Sequence, residues 1–175
     1  WYNDNQIDII IRNHKHNLTL EKRNSISSSD VISSNKNNTQ KNYKIALIGP
    51  GIMPIPPKGW GAVEILIWDY YQELINLGWQ VDIINTRNKS EIIDKVNSEE
   101  YFFVHLHYDR FYDILAKLEC PNIAFTSHYP YINDKQFHNK DNFNDIFKFM
   151  TTQTSFYNFV LAEKDKKMLL EYGAN

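Results

Sequence analysis

KIALIGPGIMPIPPKGWGAVE, residues 44–64, joins a short apolar run to the start of an amphipathic helix through a loop rich in glycine and proline. Lys44 to Gly49 reads as a strand buried on both faces, because its apolar residues are continuous and glycine closes it. From Ala62 to Leu77 the residues Val63, Leu66, Ile67, Tyr70, Leu74 and Leu77 follow helical spacing, and Gly78 stands where helices often stop. A doubly covered strand followed by a helix is the opening unit of a parallel sheet with helices packed on it.

The alternation continues towards the carboxyl end. Gln80 to Ile84 predicts a second strand, a charged stretch around Glu91 to Val96 a helix, and Tyr101 to Leu106 a third strand. Phe111, Ile114, Leu115 and Leu118 are spaced three and four apart, as in a short helix, before Pro121 forces an exit. Ile123 to Thr126 is the expected fourth strand, Phe143 to Met150 a helix, Phe156 to Leu161 a fifth strand, and Glu163 to Tyr172 a helix ended by Gly173. The fold class expected is therefore α/β, a Rossmann-like parallel sheet flanked by helices. Ligands in such sheets gather at the carboxyl ends of the strands. That rule selects four places: the loop after Gly49, Asn85 to Asn88, His107 to Arg110, and Ser127 to Tyr131.

Towards the amino end the pattern breaks. Residues 24–42 are mostly Ser, Asn, Lys and Thr, too poor in apolar groups to offset the entropy of ordering, and read as a disordered linker. Residues 1–23 form a short, poorly defined segment in which Ile7 to Ile11 could pair as a strand; His14 and His16 have no readable partner there. The compact domain expected covers residues 43–175, a length that suits a single core. A formal charge of -2 leaves no broad basic field, so nucleic acid is not an expected partner. The single cysteine, Cys120, excludes an internal disulfide and offers no pair to hold zinc. No apolar run approaches the length needed to cross a bilayer, and the expected setting is cytoplasmic.

The loop between strand and helix admits two readings. Gly59 and Gly61 could let backbone N–H groups approach a phosphate or sugar at the helix start, where the dipole favours anions. Alternatively it is a Pro-rich surface loop pinned by Trp60 against the domain. A dinucleotide fingerprint fits badly, because Pro54 occupies the third glycine position and Asn85 stands where an acidic ribose partner is wanted.

In His105-Leu106-His107-Tyr108-Asp109-Arg110, alternation puts both histidines on one face, with Asp109 and Arg110 beyond the strand end. His-x-His-x-Asp is the kind of cluster that binds metal in some hydrolases, but that motif wants a further His where Arg110 stands. His105 reads equally as a packed structural histidine, whereas His107 and Arg110 are placed to meet an acceptor or a phosphate. The acidic and basic residues Asp141, Asp145, Lys164, Asp165, Lys166 and Lys167 read as solvated helix faces.

The loop motif, with Pro56, Pro57, Trp60, Gly61, Ala62 and Glu64, followed by a helix and GWQVDIINTRN, resembles the amino-terminal half of retaining, GT-B-type glycosyltransferases of carbohydrate-active family four. Ala62 departs from the usual second glycine. The resemblance runs from Lys44 to about Gly173. It implies one half of a GT-B architecture, the acceptor side, with a carboxyl-terminal donor-binding domain expected beyond Asn175. It further implies transfer of a sugar from a nucleotide-sugar donor to a sugar, lipid-linked or protein acceptor, with retention and with neither cofactor nor bound metal. Thr126-Ser127-His128 looks like the family segment whose histidine reaches the reacting sugar, which makes His128 the expected catalytic residue. Gly59, Trp60, Gly61, Glu64, His107 and Arg110 are the expected donor- or acceptor-binding residues. Many relatives act on membrane-borne acceptors, so membrane association stays open. Two other classes remain: a metal-dependent hydrolase using His105, His107 and Asp109, and a non-catalytic glycan- or partner-binding module.

Overall fold

The computed structural model describes residues 44–128, 134, 136, 143–153 and 155–174, all within one compact unit, Lys41–Asn175. The expected segment 1–23 and linker 24–42 lie outside the described residues, as do His14, His16, Tyr129 to Tyr131 and Asp141.

Among the described residues five strands form one parallel sheet: β1 (Lys44–Ile48), β2 (Gln80–Ile84), β3 (Tyr101–Leu106), β4 (Ile123–Thr126) and β5 (Tyr157–Phe159). Their spatial order is β2-β1-β3-β4-β5. Four α-helices among the described residues accompany them: α1 (Ala62–Asn76), α2 (Lys89–Asn97), α3 (Phe143–Thr152) and α4 (Glu163–Glu171). This is the expected Rossmann-like α/β arrangement. Ile45 to Ile48 and the whole of β4 are buried, which is why both strands read as unbroken apolar runs. Each such isoleucine or leucine contributes about 1.5–3 kcal/mol on burial.

Local chemistry closes the elements. Asn88 caps α2, its side chain accepting from the amides of Ser90 and Glu91. Helix α1 ends in paired bonds, Gly78 N–H to the Ile75 carbonyl and Trp79 N–H to that of Leu74, the arrangement that satisfies final-turn carbonyls. At the amino ends of the strands Lys44 bridges Asp82 at 2.9 Å and Glu99 at 3.1 Å, and the Tyr101 hydroxyl donates to Asp82. That network staples β1, β2 and β3 at the end remote from any strand-end site.

Three expectations need correction. Asp109–Lys117 is a 3₁₀ helix, not an α-helix. It closes on bonds three residues apart, Phe111 to Tyr108 and Leu118 to Leu115, and its apolar positions serve that spacing as well as the α spacing. Strand β5 is shorter than Phe156 to Leu161. Asp165 is buried and not part of a solvated face: it occupies the first turn of α4, where the helix dipole favours a carboxylate.

Candidate functional site

The connections from β1 and β3 leave towards opposite sides of the sheet, because β2 lies beyond β1 and β4 beyond β3. A crevice forms at such a switch point, at the carboxyl ends of the strands. Here it is a cleft of about 340 Å³. Its walls come from the loop after β1, the first turn of α1, the segment following β3 and His128, two residues beyond β4.

Trp60, Gly61, Glu64, His107, Arg110 and His128 all line this cleft, so six of the seven expected site residues meet in one place. Gly59 is not among its walls. Residues 85–88, one of the four places the strand-end rule selected, do not line it either. Ile52 and Met53 join the walls without having been expected; the length of the loop was their only signal.

The loop is not held by Trp60, which is 82 % exposed; that reading is corrected. The pin is Asn85, the residue after β2. Its side-chain oxygen accepts from the Gly51 amide at 2.8 Å, and its amide donates to the Met53 carbonyl at 2.8 Å. Replacing Asn85 with alanine removes both bonds and is expected to cost about 1–3 kcal/mol. Amide hydrogen exchange at Gly51 should accelerate together with it; unchanged exchange would mean the pin holds nothing.

Across β3 and β4, three successive contacts tie the strand ends. His105 Nε2 meets Thr126 Oγ1 at 2.7 Å, the Ser127 hydroxyl donates to Asp109 at 3.3 Å, and His107 Nδ1 faces His128 Nε2 at 3.4 Å. His105 and His107 share a face, as alternation requires, with ring centroids 3.8 Å apart. His105 is wholly buried beneath Phe103 and Phe159 and stays outside the cleft, which fits a packing role.

Burial governs the charge of this column. Desolvation, with a smaller push from His128, lowers His105 to about 3. Desolvation and then the neighbouring histidines hold His107 well below its ordinary value, and desolvation lowers His128 to about 4. All three are neutral at pH 7, able to donate at one nitrogen and accept at the other. His107 Nε2 and His105 Nδ1 are buried with no hydrogen-bond partner among the described residues.

Among the described residues no group of three or more His, Cys, Asp or Glu is arranged to hold a metal ion. His105, His107 and Asp109 therefore do not form the cluster a His-x-His-x-Asp site would need; His105 is turned to Thr126 and Asp109 takes the Ser127 hydroxyl. Among the described residues no helix is long and apolar enough to cross a membrane.

The solved structures with a distant likeness to this chain include AviGT4, a glycosyltransferase involved in Avilamycin A biosynthesis, 18 % identical, with a TM-score of 0.43; the likeness covers 50 % of this chain and 32 % of that one. This chain thus matches about a third of that protein's length, and the likeness gives no residue a role. No protein-family model and no curated protein matches the chain.

Proposed function

We propose that this domain is the acceptor-side half of a GT-B-type, retaining glycosyltransferase, which moves a sugar from a nucleotide-sugar donor to an acceptor hydroxyl. The observation that carries the reading is the neutral His107–His128 pair at the strand-end cleft, in a chain whose loop motif and Thr-x-His segment resemble that family. A neutral imidazole held by a second one is preorganised to hydrogen-bond a sugar hydroxyl without charge reorganisation. His128 is the residue proposed to touch the reacting sugar, and His107 positions its ring. Arg110, exposed at the cleft and stacked over Phe143 at 5.9 Å, is free of ion pairs among the described residues and is suited to the leaving diphosphate. A second, donor-binding domain would complete the site, with water excluded when the two halves close. No metal enters the proposed chemistry.

Nucleotide release from a panel of nucleotide-sugars by the full natural chain tests this, with and without chelator. Turnover is expected to resist chelator, and His128→Ala to lower kcat about 100-fold, as for loss of one preorganised hydrogen bond. Release abolished by chelator would instead favour metal-dependent chemistry. Absence of turnover with every donor would favour a binding module.

A further inference from the structure

The two edges of the sheet differ. Strand β5 is three residues long, whereas β2 runs for five and stays in unbroken register with β1. Edges are usually defended by short strands, bulges, prolines or lysines, and β2 has none of these in its own sequence. The Ile84 carbonyl accepts from the Gly49 amide, so Ile84 turns its backbone groups towards β1. Alternation then turns the N–H and C=O of Val81 and Ile83 outward, and among the described residues no strand lies beyond them.

A groove follows this edge, with Trp68, Tyr71, Val81, Asp82, Ile83 and Lys95 in its walls, and it shares no residue with the strand-end cleft. Its two sides ask for different chemistry. On the face covered by α1, Val81 and Ile83 lie beside Ile45 and Leu47, and the half-buried rings of Trp68 and Tyr71 stack at 5.2 Å. On the other face, where Ile92 and Val96 of α2 pack against Ala46, stand Asp82 and the ammonium of Lys95. A strand that suits both sides must present apolar residues to the aromatic wall and a carboxylate between them to Lys95. Val81-Asp82-Ile83, the edge strand itself, has that pattern.

We infer that β2 is the pairing edge of a homodimer, in which a second copy of this chain adds its own β2, antiparallel, about a two-fold axis at Asp82. Val81 of each copy then faces Ile83 of the other, and each such pair exchanges both of its hydrogen bonds. The axis is perpendicular to the sheet and keeps the faces, so the incoming Val81 and Ile83 meet Trp68 and Tyr71, and the incoming Asp82 meets Lys95. Bare carboxylates side by side at the axis would repel. Each Asp82 is instead held by Lys44 at 2.9 Å and by the Tyr101 hydroxyl, and Lys95 of both copies borders the pair. The contact is isologous, so it closes at two copies. It is independent of the sugar-transferring reading.

Sedimentation velocity of the full chain from about 1 to about 100 μM tests this, with a dimer Kd of about 10 μM or tighter expected. The Val81 and Ile83 amides should exchange slowly in the dimer and faster on dilution. Val81→Pro removes one outward donor and no bond to β1, and should weaken the dimer at least about tenfold. Proline can also disturb the strand itself, so Lys95→Glu, at a helix side chain 44 % exposed, is the second variant. It should weaken the dimer about tenfold by adding carboxylates beside Asp82, with the far-UV circular dichroism of the unmodified chain retained. A chain that stays monomeric at about 100 μM overturns the inference, whether its Val81 and Ile83 amides are open or held by some other strand. So does a dimer that either variant, still folded, leaves as tight as before, because its interface then lies elsewhere.

Discussion

Gly51→Ala is expected to destabilise the domain by about 3–5 kcal/mol. Gly51 has φ +67, a left-handed conformation that costs other residues about 1–2 kcal/mol. Its missing side chain matters more. A Cβ there would strike the Thr86 carbonyl carbon and lie 2.5 Å from the Arg87 nitrogen and 2.8 Å from the Thr86 oxygen. All three are backbone atoms and cannot swing aside. The loop would lift, the Gly51 amide would leave Asn85, and Ile52 and Met53 would withdraw from the cleft wall. Gly59→Ala is the matched control: its φ is +135 but nothing lies within 4 Å of the added Cβ, so strain alone remains, about 1–2 kcal/mol. Urea unfolding of both variants decides it, and equal losses would show that the collision contributes nothing.

The second large effect is acid sensitivity. The folded-state values of His105 and His128, about 3 and about 4, lie below the 6.5 of an unfolded histidine. Above pH 6.5 neither state takes up these protons, and stability is independent of them. As pH falls below 6.5 the unfolded chain binds protons that the folded one refuses, so folding weakens by about 1.4 kcal/mol per pH unit for each histidine. By pH 5 these two alone remove about 4 kcal/mol, a large part of the 5–15 kcal/mol typical of a domain. His107, also depressed, adds in the same direction. Urea unfolding between pH 7.5 and pH 5 should therefore show a steep loss, and His128→Asn should reduce the slope. A flat profile would mean that the column is protonated in the fold or open to water.

Much of the sheet was legible because parallel strands covered on both faces are written as unbroken apolar runs, as in Ile45 to Ile48 and Ile123 to Thr126. The helix after Gly61 was legible from its spacing, and the common face of His105 and His107 from a period of two. The strand-end rule then gathered the cleft residues from separate segments. What escaped depends on partners far along the chain. Asn85 looked like an ill-suited ribose ligand, and only its place beside Gly51 shows it as the loop's pin. Trp60 has the bulk to pin a loop, and nothing local records that the surface beneath it is missing. Asp165 belongs to a charged run whose neighbours Lys164 and Lys166 are exposed, so its burial follows from packing alone. The pairing of Thr126 with His105 depends on the register of β3 against β4, which neither segment encodes by itself.

The strand order also has a consequence for synthesis. A chain made from its amino end can pair β2 with β1 once Ile84 has emerged, but the other edge of β1 has to wait for β3, which ends at Leu106. Through that interval a strand that ends up buried carries a row of unsatisfied amides and carbonyls along one side, the kind of edge to which other chains add. A ribosome pausing between those two points would hold the nascent protein with that edge open.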